Sequence, residues 1–208
     1  MRNLKSILVF AFIAILVSSC TSNDEPVLEP VAAKTATNIH APVTTDRTVN
    51  PPSESGEFTK FNLRTGAIVS DDSWDIAFRG TSIIVNGGAA IGLTDEPERK
   101  GNGSLALETG VFGSILEAPE AAAFKQDAAG TYALTKGSGN GWYTYNPQTN
   151  QISPIAGKVL VVKTNDGHYT KIEIISYYKD NDASNPANGR YYTFNYVYNP
   201  NKGDNNLE

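Results

Sequence analysis

Cysteine, methionine and histidine are all scarce in this chain. Its 208 residues contain one cysteine, Cys20, one methionine, Met1, and two histidines, His40 and His168. A single cysteine rules out an intramolecular disulfide. The sequence also lacks the Gly-x-Ser-x-Gly, His-Glu-x-x-His and Walker motifs that accompany common hydrolytic and nucleotide-dependent chemistry. We therefore expect no enzyme.

Positive charge is also in short supply. Lysine and arginine number 17 against 22 aspartate and glutamate residues, for a formal net charge of −5. Nucleic-acid binding requires clusters of basic side chains that neutralise phosphates. We therefore expect no nucleic-acid partner.

The N-terminal apolar run is too short to span a bilayer. It covers eleven residues, Ile7–Val17, and follows the positively charged Arg2 and Lys5. A membrane span needs about 20 apolar residues, whereas this length is typical of a secretory signal. Val17-Ser18-Ser19-Cys20 resembles the bacterial lipobox, which predicts a signal peptide over residues 1–19 and lipid on Cys20. A transmembrane anchor and a plain secreted protein are the alternatives.

The residues after Cys20 bear on where the protein is anchored. Ser22–Glu25 is an acidic stretch that resembles the signal sending lipoproteins of Bacteroidetes-type bacteria to the cell surface. An ordinary solvated linker is the alternative. We expect a protein anchored by lipid to the outer membrane, at the cell surface.

The segment from residue 20 to 55 shows no apolar periodicity and is rich in threonine, proline, alanine, valine and asparagine. Such a composition buries too little apolar surface to offset the entropy of ordering. We interpret residues 20–55 as a flexible, lipidated tether. Residues 56–208 then form one domain, since that length suits a single core.

The apolar pattern of that domain has a period of two, which is typical of strands. Asn165-Asp166-Gly167 separates two such runs and predicts a hairpin. Only Pro119–Asp127 has a helical pattern. The expected fold class is all-β: a single, mainly antiparallel domain with one short helix. Its long, glycine-rich loops, which are binding loops or poorly ordered segments, cover residues 87–103, 137–141 and 179–189.

Few side chains stand out as ligand-binding candidates. His168 lies at the predicted hairpin tip, where an exposed, solvated imidazole is expected and a metal ligand is the weaker alternative. Tyrosines are concentrated on the last two predicted strands, between Tyr177 and Tyr198. They favour sheet packing, although an aromatic wall also suits a flat ligand or a glycan.

Several segments, in this order and spacing, resemble the HmuY haemophore family of Bacteroidetes lipoproteins over about residues 56–200. They are Ser73–Arg79 (SWDIAFR), Ile84–Gly88 (IVNGG), Gly141–Tyr145 (GWYTY), Gly157–Gly167 (GKVLVVKTNDG), Lys171–Tyr178 (KIEIISYY) and Tyr192–Phe194 (YTF).

The resemblance implies an all-β lipoprotein that takes haem from host carriers and passes it to a TonB-dependent outer-membrane transporter. Family members hold the iron between two histidines or use methionines. The corresponding places here, near Asn146–Pro147 and within Gly101–Phe112, contain neither residue.

Tyr143 and Tyr145 are the remaining haem-binding candidates, because phenolate is a known type of haem ligand. The resemblance therefore predicts weak haem or porphyrin binding. A scaffold for another apolar or glycan ligand, or a surface adhesion or assembly protein, stays open as an alternative.

Overall fold

The computed structural model describes residues 27–208. The predicted signal peptide, the lipidation site Cys20 and the acidic stretch Ser22–Glu25 lie outside the described residues. Within residues 27–208, no helix is long and apolar enough to cross a membrane.

The all-β prediction is confirmed. Thirteen strands occur in residues 27–208: β1 Ala32–His40, β2 Thr44–Asp46, β3 Ser53–Ser55, β4 Thr59–Asn62, β5 Ala67–Ile68, β6 Ile76–Arg79, β7 Ser82–Val85, β8 Ser104–Thr109, β9 Tyr143–Asn146, β10 Gln151–Pro154, β11 Lys158–Lys163, β12 Tyr169–Tyr178 and β13 Gly189–Tyr198.

Two antiparallel sheets enclose the main core. One has the strand order β1-β13-β12-β11-β8, and the other has the order β5-β4-β6-β7. Phe61 and Phe78 of the second sheet pack edge-on or tilted against Phe194 of the first, with ring centroids 5.4 and 5.8 Å apart. The hairpins β2–β3 and β9–β10 form two further small sheets.

The strand β6 is buried on both faces. Ile76 and Phe78 face the main core, while Ala77 belongs to a second apolar cluster with Trp74 and Ile84. The sequence of a strand that is covered on both faces is a nearly continuous run of apolar residues. The alternation of Ile76 and Phe78 with Ala77 therefore separates two buried faces of β6.

The predicted hairpin at Asn165-Asp166-Gly167 is confirmed. It joins β11 to β12, with Lys163 opposite Tyr169. Gly167 has a φ of 88°, a conformation that side chains with a Cβ rarely adopt. The hairpin tip thereby brings Asp166 and His168 to one end of the domain.

The prediction of a flexible tether over residues 20–55 is wrong for its second half. The strand β1 pairs along β13, from Ala32 opposite Tyr198 to His40 opposite Tyr191. Ile39 and Ala41 enter the core. The strand β1 has few apolar side chains, and a bulge between Ala36 and Ile39 interrupts their alternation. The apolar periodicity of the sequence therefore does not predict this strand.

The predicted helix over Pro119–Asp127 is also wrong. Only Ala121–Ala123 forms a single 3-10 turn. Lys125 then exchanges two 2.9 Å backbone hydrogen bonds with Leu105 of β8. This pairing requires extended backbone, so it overrides the helical preference of the alanines. Three further 3-10 turns cover Phe112–Ser114, Lys179–Asn181 and Pro186–Asn188.

A buried ionic cluster orders the long loop between β7 and β8. The Arg99 guanidinium lies between the carboxylates of Glu96 and Asp127, and the three side chains are 2, 5 and 0% exposed. The Nη2 atom of Arg99 is 3.0 Å from Oδ2 of Asp127. Ion pairs of Arg99 with Glu96 and Asp127 therefore order this loop, which contains no helix or strand of its own.

Both carboxylates of this cluster also accept backbone hydrogen bonds. Glu96 accepts from the amides of residues 91–93 at 2.8–2.9 Å. Asp127 accepts from the amides of Val85 and Ala133 at 3.0 and 2.7 Å. Burial raises the pKa of Glu96, but these amides and Arg99 outweigh it and hold the pKa below its usual value.

Deleting residues 27–55 should destabilise the domain, because it removes β1 and exposes its partner β13. Losing the buried Ile39 alone costs about 1.5–3 kcal/mol, and the lost strand pairing adds to that. We expect a chain starting at Gly56 to unfold at clearly lower urea than one starting at Val27. Equal urea midpoints would show that β1 does not stabilise the domain.

Replacing Arg99 by methionine should cost about 3–5 kcal/mol of unfolding free energy, because two carboxylates would stay buried without a cation. The matched control is Lys100→Ala, which removes an exposed ion pair with Asp72 and should cost about 1 kcal/mol or less. Urea unfolding measures both. Similar costs for the two variants would contradict this account of the loop.

Candidate ligand-binding site

Tyr143, one of the two predicted tyrosine donors, belongs to the core. Its side chain is 8% exposed, and its ring lies 4.9 Å from that of Trp142. Its hydroxyl oxygen accepts a hydrogen bond from Oγ1 of Thr81 at 3.3 Å. Tyr143 therefore presents little of its surface to a ligand.

Tyr145 lies two residues further along β9, on the same face of the strand as Tyr143, but it is nearer the hairpin turn and is 43% exposed. Its hydroxyl donates to Oδ1 of Asn150 at 2.7 Å, across the hairpin turn. Its amide donates to Oγ of Ser138 at 2.8 Å. Tyr145 is therefore the more accessible of the two tyrosines. A ligand that reached its oxygen would displace only the exposed hydrogen bond to Asn150.

The prediction that His168 is exposed and solvated is wrong. The residue is 5% exposed, and its ring stacks on Tyr198 with centroids 5.6 Å apart. Its Nδ1 atom lies 2.8 Å from Oδ1 of Asp166. The Nη2 atom of Arg64 lies 3.1 Å from both ring nitrogens. Arg64, in the turn after β4, thus lies over the hairpin tip, and both ring nitrogens of His168 have partners within the protein.

The cluster around His168 ties the two sheets together at this end of the domain. Arg64 pairs with Oδ2 of Asp166 at 2.6 Å, and its Nε donates to the Tyr198 hydroxyl at 2.9 Å. Burial raises the pKa of Asp166, yet hydrogen bonds from Thr164 and His168 outweigh it and lower the pKa overall. These contacts are all internal, which indicates a structural role.

Asp75 is a buried carboxylate that connects the turn after β4 to the β11–β12 hairpin. Its Oδ2 accepts from the amide of Leu63 at 2.8 Å and its Oδ1 from the amide of Asn165 at 3.2 Å. Burial raises the pKa of Asp75 to about 6, against the lowering effect of these two amides. Its ionised form is therefore less favourable in the folded than in the unfolded protein.

This shift predicts a pH dependence that Asp75→Asn should remove. With a folded pKa of about 6 and an ordinary value of 3.8, folded protein binds the proton more tightly. The contribution of Asp75 to stability should then fall as pH rises from 4 to 6, by about 2 kcal/mol.

The measurement is urea unfolding of both proteins at intervals from pH 4 to 7. The stability of the original protein relative to Asp75→Asn should decrease over this range. Carboxylates with lowered pKa that do not interact with Asp75, such as Asp182, are present in both proteins and cancel in the difference. A difference that does not change with pH would disprove the assignment.

His40 is the residue that sequence reasoning overlooked, because it falls in the segment taken for a tether. It is exposed, and its ring stacks on Tyr191 with centroids 4.4 Å apart and an interplanar angle of 15°. Lys179 places its ammonium 6.0 Å from the Tyr191 ring centroid. The sequence does not predict this stacked pair of rings, because β1 lacks the apolar alternation of a strand.

His40 and the β9–β10 hairpin lie at the same end of the domain. The turn between β6 and β7 contacts both: the amide of Gly80 donates to the carbonyl of Ala41 at 3.0 Å, and Nε1 of Trp142 donates to the carbonyl of Thr81 at 3.0 Å. The His168 cluster lies at the other end of β11 and β12. The exposed nitrogen and phenol donors therefore share one end.

Two clefts lie elsewhere on the surface. One of about 620 Å³ borders β4 and β5, and one of about 230 Å³ lies beside β8 and the hairpin tip. The larger is lined by the apolar side chains of Phe58 and Val69 and by the acidic residues Glu57 and Asp95, among others. In residues 27–208, no group of three or more His, Cys, Asp or Glu side chains is placed to hold a metal ion.

Solved structures that are similar include an apo HmuY analog of Tannerella forsythia, with 16% identity, a TM-score of 0.48, and coverage of 84% of this chain and 99% of that one. A candidate lipoprotein of Bacteroides fragilis has 16% identity, a TM-score of 0.43 and coverage of 69% and 85%. A candidate HmuY-like haem-binding protein of Bacteroides vulgatus has 16% identity, a TM-score of 0.45 and coverage of 69% and 86%.

A search among curated proteins gave no match. The profile of the HmuY protein family, in contrast, matches residues 54–196. This match covers more than half of the chain and includes β4 to β12 and most of β13. The protein therefore belongs to the HmuY family.

Proposed function

We propose that this protein is a haemophore-like lipoprotein that binds haem or a related porphyrin for uptake through a TonB-dependent outer-membrane transporter. The observation that carries the proposal is the family match over residues 54–196. Host haem carriers are the proposed source of the ligand. The role is one of binding and transfer rather than catalysis.

The donors that the family uses do not occur at the matching places. Asn146 and Pro147 lie at the end of β9 and in the turn that follows, and neither is a histidine or a methionine. Half of the segment 101–112 is β8, which pairs along β11, and the segment also has neither residue. Conventional ligation by two such side chains at these places is thus not available.

Tyr145 is the donor nearest the family's place. It lies one residue before Asn146 and has an exposed side chain. A phenolate oxygen is an established haem ligand type. Tyr143, whose hydroxyl is bonded by Thr81 inside the domain, is the weaker candidate of the two.

The lipid anchor is part of the proposal. Lipid on Cys20 would hold the protein at the outer membrane, at the cell surface, without a membrane-spanning helix, because each buried CH₂ contributes about 0.8 kcal/mol. From Ala32 onward the chain belongs to β1. The spacer between lipid and domain is therefore at most the eleven residues 21–31.

A haem titration tests the proposal. The protein from residue 20 onward, carrying Cys20→Ser, should shift the Soret band of added haem, whereas Tyr145→Phe should weaken binding by removing a possible oxygen donor. Tyr143→Phe is the matched control and should change affinity less, because its hydroxyl is bonded internally. Absence of any Soret shift with the original protein would contradict haem binding.

A different apolar or glycan ligand is the second candidate, and the missing axial donors favour it. The cleft of about 620 Å³ beside β4 and β5 is within the size range of small-molecule sites. An adhesion or assembly role at the cell surface is the third. If haem does not bind, a glycan array and a pull-down with surface proteins distinguish these two.

A further inference from the structure

We infer that the smaller cleft, beside β8 and the tip of the β11–β12 hairpin, binds a sugar ring that carries a carboxylate. This site is separate from the proposed haem function and from the larger cleft beside β4 and β5. Its volume is about 230 Å³, which is below the range of about 300–1,000 Å³ that is usual for small-molecule sites. The cleft therefore suits one ring of a glycan and is too small for a porphyrin.

Three of the side chains that line the cleft form a row across neighbouring strands. Ser104 of β8 lies directly opposite Lys163 of β11, and Lys163 lies directly opposite Tyr169 of β12. Directly opposite side chains of antiparallel strands share one face of the sheet. Tyr169 packs with Val161 in a cluster apart from the main core. The row therefore lies on the outer face of the five-stranded sheet.

The segment around Lys125 supplies a second wall. Its backbone exchanges two hydrogen bonds with β8, so the chain runs extended beside the sheet. Phe124 and Gln126, on either side of Lys125, both line the cleft. The ring of Phe124 is tilted against that of Tyr169, with centroids 5.8 Å apart. Two half-buried aromatic rings therefore meet in this cleft.

Ser104 is a buried polar side chain at the wall of the cleft. The residue is 7% exposed and belongs to the lining. In the part of the chain that the structure describes, its hydroxyl has no hydrogen-bond partner. The large majority of buried polar side chains have one. The hydroxyl of Ser104 is therefore available to a hydroxyl group of a ligand.

Two amide side chains, those of Asn102 and Gln126, complete the polar lining. The Nε2 atom of Gln126 donates to the carbonyl of Gly103 at 3.1 Å. The backbone amide of Asn102 donates to Oδ1 of Asn165 at the hairpin tip, at 3.2 Å. These bonds fix both residues at the cleft, so less entropy is lost when a ligand binds. An amide both donates and accepts hydrogen bonds, as a sugar hydroxyl does.

Lys163 carries the only charge among the residues that line the cleft. Its ammonium lies 5.8 Å from the centre of the Tyr169 ring. Within residues 27–208 it forms no ion pair. The larger cleft is lined by Glu57 and Asp95, which repel an anion. A ligand carboxylate therefore finds its charge-assisted hydrogen bond in the smaller cleft.

The combination of groups matches a sugar better than an aliphatic acid. One face of a pyranose ring presents C–H groups, which pack on the negative face of an aromatic ring. The edge of the same ring presents hydroxyls, which bond with amide and hydroxyl groups. Tyr169 and Phe124 supply the first contact, and Ser104 with the two amides supplies the second. An aliphatic carboxylate would use Lys163 alone.

NMR titration tests the inference on isotope-labelled protein from residue 20 onward, carrying Cys20→Ser. Methyl β-glucuronide should shift the backbone amide signals of Lys163 and Tyr169. It should bind about tenfold more tightly than methyl β-glucoside, which has the same ring without the carboxylate, a difference of about 1.4 kcal/mol. The methyl glycoside of N-acetylneuraminic acid is titrated in parallel, since it carries the same group on a sugar from another source.

Substitutions assign the binding to the cleft. Lys163→Met should weaken the glucuronide about tenfold and leave the glucoside within about twofold, because only the carboxylate uses the ammonium. Lys125→Met is the matched control, since this exposed lysine does not line the cleft. Phe124→Leu keeps an apolar side chain without the ring and should weaken both sugars alike. Urea midpoints check that each variant is folded.

Three outcomes would overturn the inference. One is that neither carboxylated sugar binds. Another is that Lys163→Met leaves glucuronide binding unchanged, or weakens it no more than Lys125→Met does. The third is that acetate binds as tightly as the glucuronide, which would make the cleft a simple anion site. The proposed haem function stands in all three cases, because the haem titration tests it separately.

Discussion

The aromatic contact between the two sheets is the constraint on which the other features of the domain depend. Tyr192, Phe194 and Tyr196 alternate along β13, are at most 2% exposed, and meet Phe61 and Phe78 of the opposite sheet. A buried tyrosine needs a partner for its hydroxyl, and that of Tyr192 donates to the carbonyl of Gly80 at 2.9 Å. Burial raises the pKa of Tyr192 well above its usual value, so the hydroxyl stays protonated and links the core to the β6–β7 turn.

The alternation that builds this core also orients the stacked pair of His40 and Tyr191. Because successive side chains of a strand point to opposite faces, burying Tyr192 turns Tyr191 outward, opposite His40 of β1. The pairing of β1 with β13 is thus needed twice. It covers β13, which would otherwise be the edge strand of this sheet, and it holds the exposed imidazole of His40 against Tyr191.

The strands with clear alternation could be predicted from the sequence, and β1 could not. The β11–β12 hairpin and β13 have period-two patterns and a clear turn signal, and the structure confirms them. In β1 only Ala36 and Ile39 are buried, and a bulge separates them. The loop after β7 is equally invisible to periodicity, because charge pairing of Arg99 with Glu96 and Asp127 holds it. Its order depends on residues far apart in sequence, which no local pattern reports.

The same contrast between local patterns and long-range contacts applies to the candidate site. The two segments that the family resemblance implies as donor places contain neither histidine nor methionine. Residues 104–109 are committed to pairing with β11, and Tyr145 is exposed on a short hairpin. A strand outside the profile match, β1, instead brings a histidine to the end of the domain that carries this hairpin.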